Sequence, residues 1–501
     1  MLVVATSRLC FLLAEGRRLP GTAGAYLVAR CAYLIFFHPL AKLPGPKLYA
    51  TTDLFYLYHL VGCTWPAKLK TLHDEYGPTI RFSPFDVSSI APESWKTIYG
   101  HKSKPNKTFE KDRRVYNGPD QGIANIVIAD NDAHRRMRRV LAHAFSEKAL
   151  RGQETLIKSN VDLFISKVAA LAEAKEPVNI MLWYNYITFD LIGDLAFGKP
   201  FGCLEQGGYH PWVKMVFESL AMSNFRQVLN RHPSSNLLSS WILPERMRRA
   251  FVEHAELSSK TAFERIERGN VGREDFMDHI LRHNDEKGLS KLEIAVNSST
   301  LITAGSETTA TLLSGTTYML LTNRDKYTKL VKDIRDRYAS EAEITMSSVN
   351  ELQYLLAVFN EGLRMYPPVP MGLPRFPPAG GETVDGYYIP EKSSIAVPHW
   401  AAYQCEQNWA DPQRFVPERW LGTDPRYAND KRDVLQPFST GPRNCIGKNL
   451  AYAEMRVILT RLLWRFDLEL LPESKDWYNQ RIFAFWKKGP LMVKVTPAQR
   501  S

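Results

Sequence analysis

One stretch constrains the fold more than any other. Ser290-x-x-Glu293 is a capping-box pattern, and from it apolar and small residues run without a proline to about Leu321. A helix of roughly 30 residues spans about 45 Å at 1.5 Å per residue, enough to cross the whole body of a domain. In its middle sits Ala304-Gly305-Ser306-Glu307-Thr308-Thr309. A glycine inside a helix costs about 1 kcal/mol against alanine, so a local reason is expected. Ala304 and Gly305 offer a flat surface that a ring can approach. Thr308 can return its hydroxyl to the Ala304 carbonyl, bending the helix and leaving room for water. Glu307 is an ionisable group in an apolar helix, and beside Thr308 it makes an acid–alcohol pair able to deliver protons. The bland alternative is a helix with a packing glycine and a satisfied glutamate.

A second stretch, Phe438-Ser439-Thr440-Gly441-Pro442-Arg443-Asn444-Cys445-Ile446-Gly447, reads as a tight loop feeding a helix, with one cysteine at the turn. Gly441 and Gly447 permit positive φ or close approach of a flat ligand to the backbone. Arg443 is a permanent cation suited to an anionic group such as a propionate. Phe438 supplies an apolar wall against water. A cysteine thiolate is one of the few axial ligands used for haem iron. The bland reading is a buried structural cysteine. The six cysteines, Cys10, Cys31, Cys63, Cys203, Cys405 and Cys445, are far apart and form no CxxC pair. That argues against a disulfide framework or a zinc site and for a reducing compartment.

Asp132–Ser146 reads as a basic helix carrying His134-Arg135-Arg136-Met137-Arg138-Arg139. His134 and Arg138 lie four apart on one face, placed to bind haem propionates, and the remaining arginines are free to face an acidic redox partner. A solvated charged face is the competing reading. The net charge of +11 fits an anionic membrane surface or an acidic protein partner, and no nucleic-acid motif accompanies it.

The pattern F-x-x-G-x-R-x-C-x-G around Cys445 resembles the haem-binding loop of the cytochrome P-450 family. Ala304–Thr309 matches that family's (A/G)-G-x-(D/E)-T-(T/S) element in full. Glu361-x-x-Arg364 and Phe415-x-Pro417-Glu418-Arg419 match its E-x-x-R and F-x-P-E-R elements. In its W-x-x-x-R element Arg138 matches, while His134 stands in place of the tryptophan. The resemblance runs from about Leu43 to the end. It implies a mainly α fold with a small β region, a single haem-enclosing domain over residues 39–501.

By the same resemblance the cofactor is haem b, with Cys445 the proximal thiolate and metal ligand. Arg443, Arg138, His134 and Arg375 approach the propionates, and Phe438, Gly447 and Ala304 line the ring. Glu307 and Thr308 are the catalytic pair that protonates bound dioxygen. Glu361, Arg364 and Arg419 form a buried network bracing the haem loop. The region 199–260 lids the substrate pocket, and Phe483 and Phe485 lie near it. The implied reaction inserts one atom of O2 into a C–H bond of a lipophilic small molecule, similar to fungal terpenoid or polyketide secondary metabolism. Electrons come from an NADPH–cytochrome reductase. Two other classes stand beside it: a haem-thiolate isomerase, dehydratase or peroxide-driven oxidase, and a non-catalytic haem-binding protein.

Residues 1–38 are read as a membrane anchor. Leu2–Ala14 and Ala23–Phe37 are apolar but interrupted by Arg8 and Arg30, and Leu43-Pro44-Gly45-Pro46 follows as a rigid joint. The matching location is the endoplasmic reticulum membrane, with the catalytic domain facing the cytosol. Short strands are expected at Thr79–Ser83, Val87–Ala91, Val384–Ile389 and Ile395–Pro398, and a loop at Pro233–Ser235.

Overall fold

The long helix is the spine of the fold. A computed structural model describes residues 20–116, 122–221, 223–232 and 245–499. In it the helix runs Lys291–Thr322, 32 residues, and starts with the capping box: the Ser290 hydroxyl accepts from the Glu293 N–H, and the Glu293 carboxylate accepts from the Ser290 N–H. From Ala310 to Leu321 every residue is buried. Ile180–Phe197, Glu245–Glu267, Gln353–Met365 and Lys448–Arg465 all pack against it.

Its glycines explain how the neighbours come so close. A Cβ on Gly305 would lie 2.8 Å from Ile192 Cδ1, and one on Gly315 would lie 2.3 Å from Tyr366 Cδ1. The cost of a helical glycine is therefore offset by interhelix contact. At Gly305 the missing side chain makes room for Ile192. Ile180–Phe197, almost wholly apolar, is buried from Tyr184 through Phe197 and ends at Gly198 in the left-handed region.

The β region is small. Strand β1 (Thr79–Ser83) pairs antiparallel with β2 (Asp86–Ser89). Strands β3 (Glu110–Lys111), β5 (Arg375–Phe376) and β8 (Ser394–Ala396) complete a five-stranded sheet ordered β1-β2-β8-β5-β3. Strands β4 (Val178–Asn179), β9 (Phe466–Leu470) and β10 (Met492–Pro497) form a second sheet. Val384–Ile389 is not one strand. It is a hairpin of β6 (Glu382–Val384) and β7 (Tyr387–Ile389), turned by Asp385-Gly386, both at positive φ. Asp-Gly is a strong two-residue hairpin signal, and it cuts the apolar run in two.

At the N-terminus a helix over Pro20–Ala32 continues as a π turn through Tyr33–Phe37. Leu34, Leu40 and Leu43 are buried, and Arg81 donates to the Leu34 carbonyl at 2.7 Å, so this segment is fixed to the sheet domain. Leu27, Val28, Phe36 and Phe37 are exposed. Among the described residues no helix is long and apolar enough to cross a membrane. The Leu2–Ala14 run and the Pro233–Ser235 loop lie outside the described residues.

Candidate active site

A cavity of about 320 Å³ lies between the middle of the long helix and the cysteine loop. Ala304, Gly305, Thr308 and Thr309 line one side, and Phe438, Cys445, Ile446 and Gly447 the other. The loop is held by its own backbone. The Cys445 N–H donates to the Phe438 carbonyl at 2.8 Å, closing the turn. Gly441 sits at φ +74°, and a Cβ there would lie 1.9 Å from the Tyr99 carbonyl oxygen, so only glycine fits. Gly447 lines the cavity at an ordinary φ of −87°, so positive φ belongs to Gly441 alone of the pair. Phe438 packs on Tyr452 with ring centroids 5.2 Å apart.

Cys445 is exposed, but to the cavity rather than to the outer surface. Enclosure by protein pushes its thiol pKa up, while the Gly447 N–H, Arg138 and Lys448 act the other way. A bound metal would displace the proton outright. No group of three His, Cys, Asp or Glu suited to a metal occurs among the described residues. One open thiol therefore fits a metal whose other ligands come with a macrocycle.

Cations crowd one edge of this cavity. Lys111, Arg375 and Arg443 line it, and buried His134 and half-buried Arg138 stand behind them. Arg443 donates to the Ala129 carbonyl and to Asn131, yet its Nη1 is buried without a partner. Burial and then Arg375 push the Arg443 pKa down to about 10. Burial, with Arg375 and Arg443 adding to it, pushes Lys111 well down. Burial together with Arg443, Lys111, Arg138 and Arg375 lowers His134 to about 3, which leaves its ring neutral. Repelling cations with an unused buried N–H form a cradle for carboxylates, and a haem brings two. The residues fit that group. Arg375 donates to the Tyr116 hydroxyl at 2.9 Å and to the Leu373 and Pro374 carbonyls.

Other expected residues also have partners within the chain. Arg138 gives both Nη atoms to Asn444, to its carbonyl and its side-chain oxygen, each at 2.6 Å. Its hydrogen bonds therefore brace the residue before Cys445. Arg136 pairs with Glu293 and Arg139 with Asp285, the second pair at the surface. Arg135 remains outward, beside Asp132. Phe483 and Phe485 do not line the cavity; their turn instead brings in Lys488.

On the long helix, across the cavity from Cys445, the Thr308 hydroxyl donates to the Ala304 carbonyl at 2.7 Å. Glu307, one residue away, is buried and turned off the cavity into an ion pair with Lys488.

The network implied by E-x-x-R is fully formed. Glu361 binds Arg364 at 2.8 and 3.0 Å, Arg419 at 3.1 Å, and the Val416 N–H and Trp420 indole N–H at 2.9 Å each. All three charged residues are fully buried. Burial raises the Glu361 pKa, but Arg364 and Arg419 outweigh it and hold the carboxyl below its ordinary value. Arg364 also binds the carbonyls of Tyr403, Pro412 and Arg414, so the network staples the chain leading to the cysteine loop.

The residues missed from sequence are Lys111, Tyr116 and Lys488. Lys111 carries no local motif; its pairing with Arg375 across β3 and β5 brings it to the site.

The chain matches the family model described as Cytochrome P450 over residues 54–495. It is 44% identical over 480 residues to the cytochrome P450 monooxygenase astA of Talaromyces wortmannii, covering 96% of each chain. It is 43% identical over 474 residues to the cytochrome P450 monooxygenase aclL of Aspergillus oryzae, covering 94% of this chain and 96% of that one. It is 41% identical over 487 residues to the cytochrome P450 monooxygenase efuB of Hormonema carpetanum, covering 96% of each.

Proposed function

The chain belongs to the cytochrome P450 family and is a haem-thiolate monooxygenase, and on that premise we propose how its own residues serve the reaction. The cofactor would be haem b, Cys445 would hold its iron, and Lys111, Arg375 and Arg443 would take its propionates. When bound, the haem supplies dioxygen activation and insertion of one oxygen atom into a C–H bond. Cys445 supplies the thiolate, and the turn locked by Gly441 fixes where its sulfur stands. Phe438 excludes water from the sulfur. Thr308 Oγ1, across the cavity from Cys445, would hold a proton, and Glu307 would replenish it. Val127, Leu301, Val369 and Leu373 give the cavity apolar walls suited to a lipophilic substrate. We assign that substrate to fungal terpenoid or polyketide secondary metabolism.

A reductase drawing on NADPH is the electron source, and the protein works at the endoplasmic reticulum membrane, facing the cytosol. The exposed Leu27, Val28, Phe36 and Phe37 support membrane contact.

One observation carries this reading: Cys445 opens onto the same apolar cavity that Thr308 lines from the opposite side. The reduced, carbon-monoxide-treated protein should show the long-wavelength band of a thiolate-ligated haem, and Cys445→Ala should lose it. Product analysis with reductase, NADPH and candidate pathway intermediates then tests the reaction. Turnover with peroxide alone, and none with NADPH and reductase, would overturn it.

A further inference from the structure

Two helices meet at one notch in the cavity wall. Gly305 lines the cavity from the long helix, and Ile192 lines it from the helix Ile180–Phe197. A Cβ on Gly305 would lie 2.8 Å from Ile192 Cδ1 and 3.1 Å from its Cγ1, so the isoleucine stands in the space that a side chain at 305 would take. Thr308 and Thr309 follow Gly305 by three and four residues, which puts both on the helical face that carries the notch. Both line the cavity. Thr308 donates to the Ala304 carbonyl and Thr309 to Glu454, and each hydroxyl oxygen keeps the capacity to accept. A buried water needs room and about three polar partners. Thr308, Thr309 and the Ala304 carbonyl supply the partners, Gly305 leaves the room, and Ile192 fills it. The helix that carries Ile192 is fixed on several sides. The Tyr184 hydroxyl and Thr317 Oγ1 bond at 2.8 Å, joining it to the long helix. Asp190 accepts the N–H groups of Cys203 and Leu204 at 3.0 and 2.8 Å. A Cβ on Gly193 would lie 2.8 Å from Phe201 Cδ2, so the backbone next to Ile192 is wedged as well. With its helix held in this way, a truncated side chain leaves a void rather than a closed gap.

We propose that Ile192 is a positioning residue for oxygen insertion: it fills the notch that Gly305 opens in the long helix and keeps water from the hydroxyl of Thr308. Water at that spot opens a second proton route into the cavity. NADPH, O2 and one proton then give NADP+ and hydrogen peroxide, and no C–H bond breaks. Both electrons leave on the peroxide, where oxygen insertion would have used them to reduce one oxygen atom to water. The inference rests on Thr308 holding the proton that the reaction uses.

Two measurements on the haem-loaded protein test it. A crystal structure of Ile192→Ala should show an ordered water bonded to Thr308 Oγ1; a void that stays dry or has closed overturns the proposal. With reductase and substrate, the same variant should form more peroxide per NADPH than wild type, and an unchanged yield overturns the proposal. Adding Gly305→Ala to Ile192→Ala returns a methyl to the notch from the opposite helix, so the peroxide yield should fall back toward wild type. A general loosening of the fold would not be cured by a second substitution, so a double variant as leaky as the single one overturns the proposal too. Should Ile192→Ala fail to hold haem, Ile192→Val, which lacks only Cδ1, decides by the same comparison of peroxide yield with wild type. The underlying role of Thr308 fails separately. It falls if Thr308→Ala, with Ile192 intact, leaves the peroxide yield unchanged, whatever the crystal structure of Ile192→Ala contains.

Discussion

Glu454 offers a quantitative test of how dry the cavity floor is. It sits on the helix Lys448–Arg465 behind the cysteine loop, lines the cavity and is 3% exposed. Burial pushes its carboxyl up to about 8 from an ordinary 4.5, against the opposing effect of a hydrogen bond from Thr309. Between those two values the folded chain holds a proton that the unfolded chain has lost. Stability is thus fully present below about pH 4.5 and declines as pH rises toward about 8. At about pH 7 the loss is about 3 kcal/mol, from ~1.4 kcal/mol per pH unit. Glu454→Gln keeps the shape and a group able to bond Thr309, but has no proton to lose. Between about pH 6 and about pH 7.5 wild type should lose ~2 kcal/mol that the variant keeps. With an unfolding entropy of ~2.1 cal/mol/K per residue, 1 kcal/mol is worth about 1 °C in a chain this long. The difference in Tm, variant minus wild type, should therefore grow by about 2 °C over that window in scanning fluorimetry at one fixed rate. A flat difference, or one that shrinks with rising pH, would refute a neutral buried acid at this position.

Three further outcomes follow from the geometry. Gly441→Ala must move the Tyr99 carbonyl and hold alanine at positive φ, so it should lose at least ~1–3 kcal/mol of stability and haem content with it, read by thermal unfolding and by absorbance; a wild-type Tm would contradict the 1.9 Å contact. Glu361→Gln leaves Arg364 and Arg419 without their shared anion and should cost ~3–5 kcal/mol in thermal unfolding, whereas a surface pair would cost about 1 kcal/mol or less. Thr308→Ala removes only a bond to the Ala304 carbonyl, so haem binding should persist while more reducing equivalents go to peroxide; unchanged peroxide yield would place the proton donor elsewhere.

Much of this site was legible in the chain, because its parts are written as short local patterns. Ser290-x-x-Glu293 marks where the long helix begins, since a capping box is made within one turn. Phe438–Gly447 declares its turn through Gly441, whose φ no other residue adopts at low cost. What was not legible depends on pairing at long range. Gly305 reads as a flat place for a ring and does line the cavity, but nothing in its neighbourhood names Ile192 as the side chain packed against it. Arg136 and Arg139 looked free because their partners, Glu293 and Asp285, are remote in sequence. Lys111 gains its place from one strand pair, and Lys488 from the segment after Phe485, whose partner Glu307 is remote in sequence. Val384–Ile389 differs from these, because its turn signal, Asp385-Gly386, is local and lies between two short apolar runs.

Glu293 carries two duties with one carboxylate. Its Oε2 accepts both the Ser290 N–H that closes the start of the long helix and Arg136 Nη1 at 3.1 Å, while Oε1 accepts Arg136 Nη2. Arg136 also holds the Gly288 carbonyl just upstream. The arginine-rich helix Asn131–Leu141 and the first turn of the helix that carries Glu307 and Thr308 thus share a single hinge pin. Losing the Glu293 carboxylate would therefore undo two things at once, the cap of the long helix and the tie that holds the arginine-rich helix to it.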